Sequence, residues 1–220
     1  MRVWITRTEP GAARTARAVA DLGHVPVVAP VLEVHDLPGP VPPHEAVAFT
    51  SPNAVAAFAR LSGARSARVF AVGDATARAA AEAGFADVAS AAGDGHALAA
   101  LIAADPPGAL LWPRAAEPAF DLASALTGVV EVRAAPVYET RPVDPLAAPD
   151  FDLVLVHSPR AARVLAAGLS PDAAQGRRLA AISAAAAAPL GALPWAALHV
   201  AAHPDEAHLL APLGKPPPAV

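Results

Sequence analysis

The chain has 220 residues, 55% of them hydrophobic and 5% aromatic, with a formal net charge of −4. That length suits one large domain or two small ones, and the apolar content is enough to bury cores packed with small alanine side chains. The charge balance excludes a general nucleic-acid binder, which carries a basic surface, and the lack of cysteine excludes disulfides, thiolate metal sites and a catalytic thiol.

The chain opens on RVWIT, residues 2–6, which reads as a strand, and a helix follows over about 11–22. VPVVAPVLEV, residues 25–34, is a second extended segment. EAVAFT then runs into a helix after Ser51, and RVFAVG, residues 68–73, into a helix over 75–83. This alternation predicts an α/β fold with parallel sheets flanked by helices. Two proline-rich stretches break it, HDLPGPVPP at 35–43 and RPVDPLAAPD at 141–150. Proline lacks the donor that a sheet needs, so both read as semi-rigid connectors between domains. The N-terminus shows no signal peptide, which makes the cytoplasm the expected compartment. LAAISAAAAAPLGALPWAALHV is the most apolar tract, but Pro189, Gly191 and Pro194 interrupt it. It reads as a helix and strand of a soluble protein, with no membrane contact. The tail LGKPPPAV is expected to be disordered.

An internal repeat runs through the chain. VWITR at 3–7 matches LLWPR at 110–114, VVAPVLEV at 27–34 matches RAAPVYET at 133–140, and FTSPNAV matches VHSPRAA. Residues 70–85 align with 180–195, and GDGHAL at 93–98 aligns with PDEAHL at 204–209. Five matches in constant order imply a duplicated unit, hence two similar domains facing each other.

Ser51 and Ser158 stand where an N-cap belongs, with Pro52 and Pro159 at the first helical position. Each corner alone is an ordinary helix start; together they offer free N–H groups and positive dipole ends to an anion. In parallel α/β sheets such corners lie at the carboxyl ends of strands, where ligands bind. AVGDAT makes a third corner, with Gly73 letting the backbone turn closely and Thr76 in the first helical turn. Arg7 ends the first strand and can fork onto a carboxylate, or be a solvated charge. One carboxylate at a helix start contributes about 0.3–1 kcal/mol. Micromolar binding needs about 8 kcal/mol, so many such contacts must act together. Tyr138, the only tyrosine, either packs with its hydroxyl at the surface or serves as a phenolic donor at a cleft mouth. His199, His203 and His208 cross a strand, a turn and a helix, which matches no compact metal-ligand pattern. No nucleotide or nucleophile-elbow motif is present, so no cofactor is implied.

TR-x-EPG near the start, P-V-L-E-V, FTSPNAV, VFAVGDATARAAAEAGF, PVYET, HSPRAA, AAISAAAAA and HVAAHPDEAHLL together resemble uroporphyrinogen-III synthase over nearly the whole chain. The resemblance implies two similar α/β domains joined by a double linker around a cleft. The first would be discontinuous, residues 1–35 plus 149–220, and the second residues 43–140, with 36–42 and 141–148 as linkers. It also implies the reaction: hydroxymethylbilane closes to uroporphyrinogen III, water leaves, and ring D inverts, with no metal and no cofactor. The substrate carries eight carboxylates, and the bilane closes without an enzyme to the wrong isomer. Catalysis is then mainly positioning, with a smaller acid–base part. Carried over to this chain, Tyr138 and Thr76 would be the catalytic residues, Tyr138 helping the hydroxyl leave and Thr76 standing where the family has the threonine after the V-G corner. Arg7, Ser51, Asn53, Gly73, Ser158, Arg160 and Ser183 would line the substrate site. A monomer that receives its substrate from hydroxymethylbilane synthase is expected. Two departures stand at the second wall, Ala186 where the family often has threonine and His157 before the second Ser-Pro. They leave a non-catalytic tetrapyrrole or polyanion-binding module on the same fold as the alternative. A periplasmic-type receptor is a weaker one, since it would need a signal peptide.

Overall fold

The computed structural model describes residues 1–214; most of the tail expected to be disordered lies outside the described residues. The chain begins with strand β1 (Arg2–Ile5), helix α1 (Gly11–Asp21) and strands β2 (Val25–Val28) and β3 (Leu32–Asp36). Next come β4 (Ala46–Phe49), α2 (Pro52–Leu61), β5 (Arg68–Ala71), α3 (Asp74–Glu82), β6 (Val88–Ser90) and α4 (Gly95–Ala104). β7 (Ala109–Ala115), α5 (Leu122–Ala125) and the long β8 (Glu131–Pro142) follow. The last part holds β9 (Leu153–Val156), α6 (Pro159–Gly168), α7 (Pro171–Ala174) and β10 (Arg178–Ala181). It ends with α8 (Ala184–Ala187), β11 (Ala197–Val200) and α9 (Glu206–Leu209).

Two sheets result, β11-β10-β9-β1-β2 and β3-β8-β7-β4-β5-β6. The pairings of β1 with β2 and β9, of β10 with β9 and β11, and of β4, β5, β6, β7 and β8 along the second sheet are parallel. The chain divides into two units, one of Met1–Glu33 with Arg141 onward and one of Val34–Thr140. Strands matched by the repeat hold matched places: β1 and β7, β9 and β4, β10 and β5, and β11 and β6 run in the same order. One sequence pattern thus builds one sheet order twice.

Parallel strands covered on both faces are apolar throughout rather than alternating. In β1, Trp4 faces one core with Val154, Leu165 and Leu179, while Val3 and Ile5 face the other with Leu155, Val19 and Leu209. In β4, Val47 and Phe49 join Phe58, Val69 and Phe85, while Ala46 and Ala48 join Phe70, Leu98 and Trp112. α1 buries Gly11, Ala12, Thr15 and Val19, one stripe at helical spacing.

Three expectations need correction in detail. The extended segment over 25–34 is two strands in two different sheets. Pro30 breaks it by lacking a donor, while Ala29 N–H donates to the Ile5 carbonyl and Val31 N–H to that of Thr6. The matched Pro136 sits inside β8, where the ladder with β7 shifts register between Arg114 and Ala115. The proline-rich stretches begin within strands: Asp36 ends β3, Arg141 and Pro142 end β8, and Leu37 N–H donates to the Val137 carbonyl. Proline is tolerated at a strand end because no ladder bond is lost there.

Candidate active site

Every nominated residue stands at or just after the carboxyl end of its strand, or in the helix that follows, except Tyr138, which lies within β8. In the continuous unit, β4 ends at Phe49 and Ser51 caps α2. Its Oγ accepts the Ala54 N–H at 3.1 Å, and Pro52 takes the first helical position. Asn53 is the next residue, half-buried at the helix start. Tyr138 Oη lies 2.9 Å from Ser51 Oγ, and either hydroxyl can donate. The Tyr138 ring is only 7% exposed and packs in the core cluster with Phe49, Val55 and Val137. Its backbone is pinned as well, since the Tyr138 carbonyl accepts the Ala116 N–H at 2.8 Å. The phenol is therefore a fixed donor or acceptor on a helix cap.

Gly73 caps α3 with its carbonyl, which accepts the N–H groups of Thr76 and Ala77, each at 3.0 Å. Thr76 is buried, 2% exposed. The sequence reading of Gly73 as a tight-turn glycine needs correction. Its φ of −168° is extended backbone open to any residue, and an added Cβ would meet only the Gly93 carbonyl at 3.6 Å and its nitrogen at 3.9 Å. What glycine leaves there is a bare backbone surface at the corner.

In the other unit, Ser158 caps α6 as Ser51 caps α2, its Oγ accepting the Ala161 N–H at 3.1 Å. Arg160 is the second residue of that helix. Ser183 caps α8, its Oγ accepting the Ala186 N–H at 3.3 Å. Ala186 is fully buried, which suits the methyl that stands where the family often has threonine. Arg7 follows β1 and is not a solvated charge. Its guanidinium lies over Gly11, where a Cβ would overlap it, and Nη1 lies 3.4 Å from Glu206 Oε2. Burial lowers the Arg7 pKa, and the Glu206 charge opposes that shift.

The structure thus joins Ser51 to Tyr138, and Gly73 to Thr76. It sets Arg7 among residues that the sequence reading did not nominate, Glu206, His157 and Thr15. Glu206 Oε2 lies 3.6 Å from His157 Nε2. Burial presses the His157 pKa below its usual value, against the pull of Glu206. Burial alone would raise Glu206, but His157, Thr15 and Arg7 together outweigh it and hold the carboxyl below the usual range. The one sequence signal was His157 standing before the second Ser-Pro. His203 and His208 stack edge-on at 4.7 Å, and no group of three or more potential metal ligands occurs among the described residues. Among the described residues, no helix is long and apolar enough to cross a membrane.

The family model for uroporphyrinogen-III synthase HemD matches residues 13–211. The chain belongs to the uroporphyrinogen-III synthase family. This family is one of cyclising lyases in haem biosynthesis. Among solved structures, a uroporphyrinogen-III synthetase from Helicobacter pylori is 19% identical, with 96% of each chain covered and a TM-score of 0.65. A mutant uroporphyrinogen III synthase from Thermus thermophilus is 18% identical over 96% of each chain, with a TM-score of 0.51. At these identities the likeness establishes the fold that the uroporphyrinogen-III synthase family shares. No match was found among curated proteins.

Proposed function

We propose that this chain closes hydroxymethylbilane to uroporphyrinogen III, with loss of water and inversion of ring D. The observation that carries the reading is the family match over residues 13–211. In this reading the Tyr138 hydroxyl gives its proton to the departing hydroxyl of the substrate. The carbon–oxygen bond breaks with its electron pair on oxygen, and water leaves. The 2.9 Å contact with Ser51 supports this, because a Ser51 hydroxyl donating to Tyr138 Oη frees the phenolic proton to point at a ligand. Ser51 is held in turn by the Ala54 N–H. Thr76 sits buried behind the Gly73 corner, where it supports the bare backbone surface rather than reaching far into solvent.

Ser51, Asn53, Gly73, Arg7, Ser158, Arg160 and Ser183 would each supply a donor to a substrate carboxylate. Their helix starts and strand ends are anion sites by geometry. We take the two units as the two domains of the family and the chain as a monomer. It would receive its substrate from hydroxymethylbilane synthase. The test is a coupled assay in which hydroxymethylbilane is generated in place, the products are oxidised, and type I and type III isomers are separated. Mostly type III is expected. Type I alone, from folded protein, overturns the reading.

A further inference from the structure

One cluster in the discontinuous unit holds half-buried charges beside buried, incompletely paired polar atoms. The His157 side chain is 9% exposed. Both its ring nitrogens, Glu206 Oε1 and Thr15 Oγ1 are buried without a hydrogen-bond partner. Groups so placed are ordinarily satisfied. Glu206 Oε2 reaches Arg7 Nη1 at 3.4 Å and His157 Nε2 at 3.6 Å. Charge-assisted hydrogen bonds close to about 2.7–2.9 Å, so the Arg7 hydrogen bond is long and the His157 contact is not a hydrogen bond. The carboxylate sits among a guanidinium, an imidazole and a hydroxyl, near enough to cancel charge but not tightly bound.

The repeat supplies an internal control. The matches give Thr50 at the place of His157, Gly95 at that of Glu206 and Arg114 at that of Arg7. There Thr50 Oγ1 accepts the Trp112 Nε1–H at 3.4 Å, and Arg114 donates to the Ala115 and Ala116 carbonyls, both at 2.8 Å. Gly95 lies under the Phe120 ring, which a Cβ would overlap. No carboxylate stands at the matched place, so this corner does not need one to fold. Nor does Arg7 need Glu206 to hold its position, since the guanidinium is already packed on Gly11. What remains for Glu206 is its charge.

We propose that Glu206 is an internal counter-anion to Arg7, an affinity-setting carboxylate that an incoming substrate carboxylate exchanges with at the Arg7, Thr15 and His157 pocket. This rests on the reading that Arg7 receives a carboxylate of the substrate. Exchange conserves charge at the pocket, so the chain can hold a half-buried arginine ready without leaving it unpaired. The cost is weaker binding, because each carboxylate must displace one already present.

The test is Glu206→Gln, which keeps shape and removes charge. Binding of uroporphyrin III, a stable octacarboxylate, is read by fluorescence quenching, and KM by the coupled assay. Kd and KM are expected to fall about three- to tenfold, less than for fully desolvated charge pairs at interfaces because Arg7 and Glu206 are both part-exposed. The gain should vanish in an Arg7→Gln, Glu206→Gln double variant, and Glu206→Asp should bind like the parent. A Kd that is unchanged or raised in folded Glu206→Gln overturns the proposal; a rise would mean that Glu206 positions Arg7 instead. Should the amide disturb the fold, Glu206→Gly, copying Gly95, gives the same readout. If the parent yields only type I product, the proposed reaction fails. The ratio of uroporphyrin III affinities still decides the role of Glu206 separately.

Discussion

Replacing Tyr138 with phenylalanine removes one oxygen and leaves the ring in its core. The structural loss is the 2.9 Å bond to Ser51. Ser51 keeps the Ala54 N–H and is half-buried, so water can take the vacated place. A neutral hydrogen bond of this kind contributes about 0.5–1.5 kcal/mol, and for a chain of this size about 1 kcal/mol lowers Tm by about 2–4 °C. The chemical loss is larger if the phenol protonates the leaving hydroxyl. General acid catalysis supplies at least about a hundredfold, or about 2.7 kcal/mol of barrier. Turnover should therefore drop about a hundredfold while Tm moves a few degrees and uroporphyrin III affinity changes little. The assay is single-turnover and steady-state product formation, with both isomers separated, beside a thermal melt. As turnover drops, spontaneous closure makes type I the main product. A Tyr138→Phe protein that melts within a few degrees of the parent and keeps kcat within about twofold would remove the phenol from the mechanism.

Ser51→Ala and Ser158→Ala delete matched caps, so each should cost about 1 kcal/mol by thermal melt, within the usual range of about 0.5–2. Only Ser51→Ala should also lower kcat several-fold, since only Ser51 meets Tyr138; equal kinetic effects would count against the Tyr138–Ser51 pair. Gly73→Ala should melt within about 2 °C of the parent, because its backbone is extended and its Cβ meets ordinary contact distances. A loss of uroporphyrin III affinity without a loss of Tm would then mark the bare Gly73 surface as ligand-facing, and a large Tm drop would refute the steric argument. His157 is neutral when folded because burial presses its pKa below 6.5, with Glu206 opposing and Arg7 and Arg14 adding to the shift. The unfolded chain takes up that proton first as pH falls through 6.5, so this site's stability is full above 6.5 and declines below it. Tm should fall between pH 7 and 5.5, and His157→Asn should flatten that slope; an identical slope in calorimetry would exclude His157 as its source.

The local parts of this architecture are readable because their physics is local. A serine that accepts from the third residue on, with proline next, needs only five residues to announce itself, and both Ser-Pro corners form as their residues dictate. The repeat made the shared sheet order legible, since matched strands must solve the same packing problem. Pro30 and Pro136 show the limit. They occupy matched places, yet one divides two sheets and the other rides within β8, because the neighbouring strand decides whether a missing donor matters. The Ser51–Tyr138 bond joins residues 87 apart, and no spacing rule predicts it. Arg7 and Glu206 lie farther apart still, separated by 199 residues. Glu206 in particular lies in a surface-like stretch, PDEAHL, and only the packing of α9 against the core of β1 and β9 brings its carboxylate to Arg7 and His157.

The adjacency of β3 and β8 has a consequence for how the chain assembles on the ribosome. β1 is an inner strand whose neighbour β9 is made some 150 residues later, with Val3 facing Leu153. Left to a flexible connection, bringing those strands together would cost about 4 kcal/mol of closure entropy for a loop of roughly 150 residues. The inserted unit is continuous in sequence, so it can fold as soon as it emerges. Once it has folded, the strands by which the chain enters and leaves it lie side by side. The long loop is thereby shortened by the whole length of the inserted unit, Val34–Thr140, before β9 is synthesised, so the unit that begins first and finishes last closes over a much shorter chain.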